Sequence, residues 1–351
     1  MKAVVCYGNS DIRYEDVPDV KPKENEIRIK VMACGICGSD IPRAIEMGAH
    51  NYPIILGHEF SGIVDLIGAK VNLDIKLGDR VTAAPLLPCF ICDSCKMGNY
   101  SLCDNYSFIG SRCQGAMAEY ICVPAENIIK FSDDISFECG ALFEPASVAL
   151  HAVKKYNSVQ KKNAAIIGGG TIGLFVLQWM KIFGCTNVVV FGRDKEHLQL
   201  AKDLGADYTI STHDENIYDQ AKEITSGKGF EYVYEAAGKP ETLNYALKLA
   251  AKQAKICLLG TQSNDINFNY NIWNLINRKE LNIEGFWMSY SRTFPGEEWN
   301  ITKEGFEKGS LKFNKKMFYK EFLMKDAVKA FECFTNPNEH VRGRILLKAG
   351  Q

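Results

Sequence analysis

The chain has 351 residues, of which 46% are hydrophobic and 24% charged, and its formal net charge is -1. That length suggests about two globular domains, and the balanced charge offers no basic surface for nucleic acid or an anionic membrane. The thirteen cysteines read as free thiols and metal ligands in a reducing cytoplasm, because the start MKAVVCYGNSDIRYED meets charge too early for a signal peptide.

In chain order, the first half reads as β-rich. KAVVCY, EIRIKVMAC, SGIVDLIG, DRVTAAP and AEYICVP are short runs rich in Val and Ile, separated by turn residues. Their spacing predicts a small barrel or sandwich. Two stretches among them carry candidate ligands: Gly35-Ile36-Cys37-Gly38-Ser39-Asp40, and Gly57-His58-Glu59-Phe60-Ser61-Gly62 continuing to Gly68. Cys37 and His58 are donors that suit zinc.

Next comes PCFICDSCKMGNYSLC, which places Cys89, Cys92, Cys95 and Cys103 in a C-x2-C-x2-C-x7-C spacing. Four such thiolates fill every position of a tetrahedral zinc, so a lobe over 86–106 is predicted to be structural. Cys6, Cys122, Cys139, Cys185, Cys257 and Cys333 are expected to be small core residues.

From about residue 140 the texture changes. FECGALFEPASVALHAVKKY has helical periodicity and carries Glu144, a third candidate ligand for a catalytic zinc with one open position. Residues 164–180, AAIIGGGTIGLFVLQWM, lack charge but are divided by three glycines. They read as strand, turn and helix rather than a membrane span. Strands and helices then alternate through NVVVFG, DKEHLQLAKDLG, DYTI, EYVYEAAG, TLNYALKLA and AKICLLG, which predicts a parallel sheet covered by helices. After LNIEGFWMSY the rhythm stops, and RGRILLKAG reads as a last strand belonging with the first half.

Gly168-Gly169-Gly170-Thr171-Ile172-Gly173 satisfies G-x-G-x-x-G between a strand and a helix. In that context Gly168 serves the turn, Gly170 the approach of the pyrophosphate, and Gly173 the helix–strand packing, with Thr171 and Ile172 opening the helix toward the phosphates. The next strand ends at Gly192, followed by Arg193. An acid there would serve NAD; a glycine beside a guanidinium favours the 2′-phosphate of NADP(H), with NAD(H) as the alternative if Asp194 bends back to the ribose.

GHE-x2-G-x5-G, the four-cysteine lobe, the EP-x4-L-HA segment and the dinucleotide glycines occur in one order. By these motifs the chain resembles the zinc-dependent medium-chain dehydrogenase/reductase family over nearly its whole length, with Glu144 pointing to the polyol dehydrogenase branch. The resemblance implies an α/β chain with a GroES-like catalytic domain from 1–150 and 289–351, and a Rossmann domain of doubly wound parallel sheet from 151–288. It implies two zinc ions per chain: one held by the four cysteines, and a catalytic one at Cys37, His58 and either Glu59 or Glu144. Two carboxylates would leave that site anionic. Ser39 would begin a proton relay, while Asp40 reads either as a carboxylate that orients the His58 imidazole or as a plain turn aspartate.

Wording in PRAIEMGAHNYPIILGHEFSG, PLLPCFIC, YSFIGSR and FWMSYSRTFPGEEW is similar to members acting on polyol phosphates. It implies oxidation of galactitol 1-phosphate to tagatose 6-phosphate, with Arg43 and Arg112 as candidates for the phosphate. Sorbitol or L-iditol type oxidation of free polyols is the alternative; a zinc- and nucleotide-binding protein without catalysis is another. The family further implies a cytoplasmic homodimer or homotetramer pairing through LNIEGFW.

Overall fold

The computed structural model describes residues 1–156, 159–262 and 264–350. It divides into two compact units. The first comprises Met1–Ser147, Ser289–Gly309 and Phe313–Gln351; the second comprises Val148–Met288 and Ser310–Lys312.

In the first unit, alternating apolar residues build a curved antiparallel sheet around one core. The strands run in the order Ile128–Lys130, Arg80–Ala83, Glu59–Ile67, Glu26–Ile36, Arg344–Lys348 and Phe318–Leu323, with Tyr120–Pro124 also pairing to Glu26–Ile36. Among the described strands of this sheet, only Phe318–Leu323 and Arg344–Lys348 pair parallel. A smaller sheet of Asp11–Asp16, Lys2–Gly8 and Ile54–Ile55 closes one side. Strand Glu26–Ile36 is central, and its buried Ile27, Ile29, Val31 and Cys34 anchor the core. The carboxy-terminal strand joins it with Ile345 opposite Ile36, so the two ends of the chain share one sheet.

In the second unit, six strands pair parallel in the order Tyr208–Ser211, Asn187–Gly192, Asn163–Ile167, Phe230–Glu235, Ala250–Leu258 and Asn282–Gly285. By chain position this is the 3-2-1-4-5-6 order of a doubly wound dinucleotide fold. The switch point lies between the first and fourth strands, beside the glycine turn after Ile167. Buried Ala165, Ile167, Val189, Phe191, Val233 and Ile256 fill the sheet's core, as strands covered on both faces require. Residues 164–180 form strand, turn and helix, and no described helix is long and apolar enough to cross a membrane.

Residues 137–156 form two helices, Phe137–Gly140 and Phe143–Lys154, and Glu144 opens the second, as its place in the periodic segment predicts. Pro145 cannot donate a backbone hydrogen bond, so it is tolerated only in a first turn. The break puts Glu144 at a helix start, where a carboxylate is favoured. Of the six cysteines expected in the core, Cys122 is only half-buried, while the other five are buried.

Candidate metal centres and dinucleotide loop

Strand order builds the first site. Glu59 opens the strand on one side of Glu26–Ile36, with its Cα opposite Gly35. Arg344 opens the strand on the other side. Their side chains meet: Nε lies 2.7 Å from Glu59 Oε2, and Nη2 lies 2.8 Å from Oε1. A β-carbon on Gly35 would come within 2.8 Å of Glu59 Oε2, so glycine is needed there. Nη2 also points at Cys37 Sγ, 3.7 Å away.

Cys37 follows directly where the central strand ends. Its N–H donates to Asp40 Oδ2 at 3.0 Å, which closes the turn Cys37–Asp40. Asp40 is fully buried, and its other oxygen faces His58 Nδ1 at 3.6 Å. At that distance the two do not hydrogen-bond, and both atoms are buried without a hydrogen-bond partner among the described residues. Ligand atoms of Cys37, His58 and Glu59 all lie within 4.8 Å of one another. Glu144 is outside that tight group, but its charge acts on Cys37 and Arg344.

The electrostatics favour a cation here. Burial pushes the Cys37 thiol far up, with Glu59 adding and Arg344 opposing. Burial likewise lifts Glu144 to about 7, with His58 opposing and Glu59 adding. Burial raises the Asp40 carboxyl against the pull of His58 and Arg43. Thiol and carboxyl groups kept from ionising by desolvation, beside an imidazole, are stabilised when a divalent cation binds among them. The donor set fits zinc. Glu59 already spends both oxygens on Arg344, whereas the Glu144 carboxylate has no hydrogen bond or ion pair among the described residues.

Sequence reasoning missed Arg344. Its partner Glu59 is 285 residues away, and no local motif marks an arginine that precedes an apolar strand. The guanidinium changes the charge balance, because the site anticipated as anionic contains one compensating cation.

The other expected residues fall as follows. Ser39 is half-buried in the same turn, and Arg43 Nη1 donates to its carbonyl at 2.7 Å and to its Oγ at 2.9 Å. Arg112 lies over the Tyr106 ring, 4.5 Å from its centroid, and donates to the Tyr106 hydroxyl at 3.2 Å. Desolvation, then Arg112 and Arg43, lowers the pKa of His50, so both arginines share its neighbourhood.

The second metal site is the lobe. Cys89, Cys92, Cys95 and Cys103 bring their sulfurs within 4.8 Å of one another. The Cys89 N–H points at Cys103 Sγ at 3.2 Å, and the Cys92 N–H at Cys89 Sγ at 3.4 Å. Backbone N–H groups of Ile91 and Cys92 lower the Cys89 thiol to about 6, while burial pushes Cys95 up to about 12. Donors aimed at sulfur and a tetrad without room for substrate describe a closed tetrathiolate site. The lobe leans on the segment after Met288. Phe90 and Tyr100 pack edge-on against Phe294, which stacks on Tyr290 at 5.7 Å. Tyr290 accepts the Leu86 N–H at 2.9 Å, and Glu144 adds to the burial that raises its pKa.

In the second unit, Gly168 has φ +111°, and a β-carbon on Gly173 would lie 1.9 Å from the Gly168 carbonyl oxygen. The loop thus depends on both glycines. Gly170 caps the helix Thr171–Ile182 without a side-chain hydrogen bond, and the buried Thr171 hydroxyl has no hydrogen-bond partner among the described residues. Ile172 and Gly173 continue the first turn, whose free N–H groups and orphan hydroxyl suit a phosphate. Gly192 ends its strand and Arg193 is exposed beside it. Asp194 Oδ1 accepts the His197 N–H at 2.9 Å and caps the next helix.

Comparison with known proteins agrees with both halves. The "Alcohol dehydrogenase GroES-like domain" family matches residues 23–133, and the "Zinc-binding dehydrogenase" family matches 171–303. Galactitol 1-phosphate 5-dehydrogenase of Escherichia coli (strain K12) is 40% identical over 301 residues, 85% of this chain and 86% of that protein. Sorbitol dehydrogenase of Bacillus subtilis (strain 168) is 33% identical over 301 residues, 84% of each. D-arabitol-phosphate dehydrogenase of Enterococcus avium is 33% identical over 337 residues, 95% of this chain and 93% of that one.

Among solved structures, galactitol-1-phosphate dehydrogenase from Escherichia coli superposes with a TM-score of 0.91 at 36% identity, covering 99% of this chain and 100% of that one. A zinc-binding dehydrogenase from Sinorhizobium meliloti 1021 bound to NADP gives 0.87 at 27% identity, covering 99% and 98%. An alcohol dehydrogenase from E. coli CFT073 complexed with NADH gives 0.86 at 26%, covering 99% of each chain.

Proposed function

Because the chain belongs to the zinc-dependent medium-chain dehydrogenase/reductase family, pairing its GroES-like and zinc-binding dehydrogenase domains, we propose that it oxidises the secondary hydroxyl of galactitol 1-phosphate to tagatose 6-phosphate. The convergence of Cys37, His58 and Glu59, with Glu144 alongside, carries the reading. Cys37, His58 and Glu144 would hold the catalytic zinc, and Cys89, Cys92, Cys95 and Cys103 the structural one. Zinc supplies Lewis acidity that lowers the pKa of the substrate hydroxyl. The nicotinamide cofactor supplies the hydride acceptor.

The chain's own residues do the rest. Asp40 lies beside the His58 ring, with Oδ1 3.6 Å from Nδ1, and would orient the imidazole once a metal is bound. Arg344 holds Glu59 back from the resting ligand set and offsets one negative charge, which keeps the metal site more acidic than two free carboxylates would. Glu59 can then serve as an exchanging ligand. Ser39 takes the substrate proton at Oγ. Arg112 and Arg43 are the candidate cations for the phosphate, near His50.

NADP(H) is the preferred cofactor, with NAD(H) the alternative. Gly192 offers no carboxylate to repel a 2′-phosphate, Arg193 offers a charge, and Asp194 is engaged as a helix cap. Thirteen cysteines as thiols and metal ligands fit a cytoplasmic setting. Strand Asn282–Gly285 ends its sheet with Ile283 and Trp287 exposed, which supports pairing in a homodimer or homotetramer.

A second reading, oxidation of free polyols, draws on the likeness to sorbitol dehydrogenase and on the engagement of Arg43 by Ser39. Steady-state kinetics on galactitol 1-phosphate, galactitol and sorbitol, each with NAD and NADP, separate the two. The proposal expects the highest kcat/KM with the phosphorylated polyol and NADP. Equal values for the phosphorylated and free polyol would remove the phosphate site, and a strong NAD preference would remove the role given to Arg193.

A further inference from the structure

We propose that Arg43 is a positioning residue for the Ser39 hydroxyl and not a ligand for substrate phosphate. The inference rests on the dehydrogenase reading above and reassigns one of its residues. Arg43 lies in the helical turn Pro42–Glu46, four residues beyond Ser39, and its side chain is 22% exposed. One nitrogen, Nη1, donates to both the Ser39 carbonyl at 2.7 Å and Oγ at 2.9 Å. The same nitrogen stands 3.7 Å from Asp40 Oδ1, the oxygen that faces His58 at 3.6 Å. A single buried carboxylate therefore lies between the candidate ligand His58 and the guanidinium that holds Ser39.

The hydrogen-bonding inventory gives this geometry a consequence. A serine hydroxyl has two lone pairs and one hydrogen. Arg43 occupies one lone pair and cannot give up its proton at any working pH. The second lone pair is left to accept from a substrate O–H, and the hydroxyl hydrogen is left to donate onward to water. As the substrate proton arrives at Oγ, the original Oγ proton departs, so charge and atoms balance at serine. Without Arg43 the hydroxyl can rotate, and the acceptor lone pair is aimed at the substrate only part of the time. With both Nη1 hydrogens spent on the two serine oxygens beside Asp40, the guanidinium keeps only its Nε–Nη2 edge for an anion. Among the described residues the Arg112 guanidinium meets only the Tyr106 hydroxyl and ring, so it keeps the candidacy for the phosphate.

A double-mutant cycle tests the assignment, using Arg43→Met, Arg43→Lys, Ser39→Ala and Arg43→Met/Ser39→Ala in the zinc-loaded protein. Galactitol 1-phosphate and galactitol are compared under steady-state conditions. Arg43→Met is expected to lower kcat by roughly 10- to 100-fold on both alcohols, within the range of a proton-transfer contribution, leaving their KM ratio and the zinc content unchanged. Lys is expected to restore part of the loss. In the Ser39→Ala background the same substitution should change kcat by less than about twofold, because the group through which Arg43 acts is gone. A KM increase confined to galactitol 1-phosphate and persisting in the Ser39→Ala background would overturn the proposal in favour of a phosphate ligand. Equal kcat losses in both backgrounds would overturn it as well. If neither polyol reacts, the substrate reading fails on its own. The cycle is then run with butane-2,3-diol, a bare secondary alcohol, where a kcat loss that disappears in the Ser39→Ala background supports the positioning role and an equal loss in both backgrounds overturns it.

Discussion

Arg344 and Glu59 form a buried charged contact at the candidate metal site that the sequence does not announce. Side-chain exposures of 13% and 1% place the pair almost out of water. Such a pair contributes little relative to an apolar replacement, but losing one partner leaves a stranded charge. Arg344→Met should therefore lower unfolding free energy by about 3–5 kcal/mol in a denaturant titration. Adding Glu59→Gln should recover part of it, since the remaining polar group is neutral. If Arg344→Met were as stable as the parent, the pair would not be holding Glu59 back. Gly35 belongs to the same cluster, because the carboxylate passes where its β-carbon would be.

At the scale of elements, the four-cysteine lobe reaches beyond its own ligands. Its Phe90 and Tyr100 rings brace Phe294 and, through it, Tyr290, whose hydroxyl is fixed by Leu86 and lies within the influence of Glu144. Zinc in such a site contributes folding energy. Cys95→Ser should reduce zinc by one ion per chain, lower the thermal midpoint and raise the substrate KM more than it lowers kcat. Metal analysis, calorimetry and kinetics on one preparation check this. Loss of that zinc with KM unchanged would confine the lobe to stability. The helix start at Phe143 is an element-level effect of the same kind. Pro145 sits in the first turn of that helix, which leaves Glu144 at its start.

For the whole molecule, what was legible in sequence was what local spacing controls. Alternating apolar residues mark the strands of the first unit, and glycines at 168, 170 and 173 mark the turn that opens Thr171–Ile182. The lobe cysteines sit within fifteen residues of each other, so their convergence was readable. The GroES-like and Rossmann-like halves follow from the texture change together with motif order. What depends on sheet order was not readable. Only the pairing of the carboxy-terminal strand with Glu26–Ile36 brings Arg344 to Glu59. The grip of Arg43 on Ser39 needed a turn geometry that residue types do not specify. The break between the helices at 137–140 and 143–154 was obscured because apolar periodicity continues across it.

The two proposed metal sites, with their separate tasks, are distinguishable by one measurement. Zinc content and galactitol 1-phosphate oxidation are determined together for the parent protein and for Cys37→Ser. The expected result is two zinc ions and turnover in the parent, then close to one zinc, no turnover and a preserved thermal transition in the variant. A Cys37→Ser protein that keeps turning over with only the lobe zinc would contradict the division of tasks.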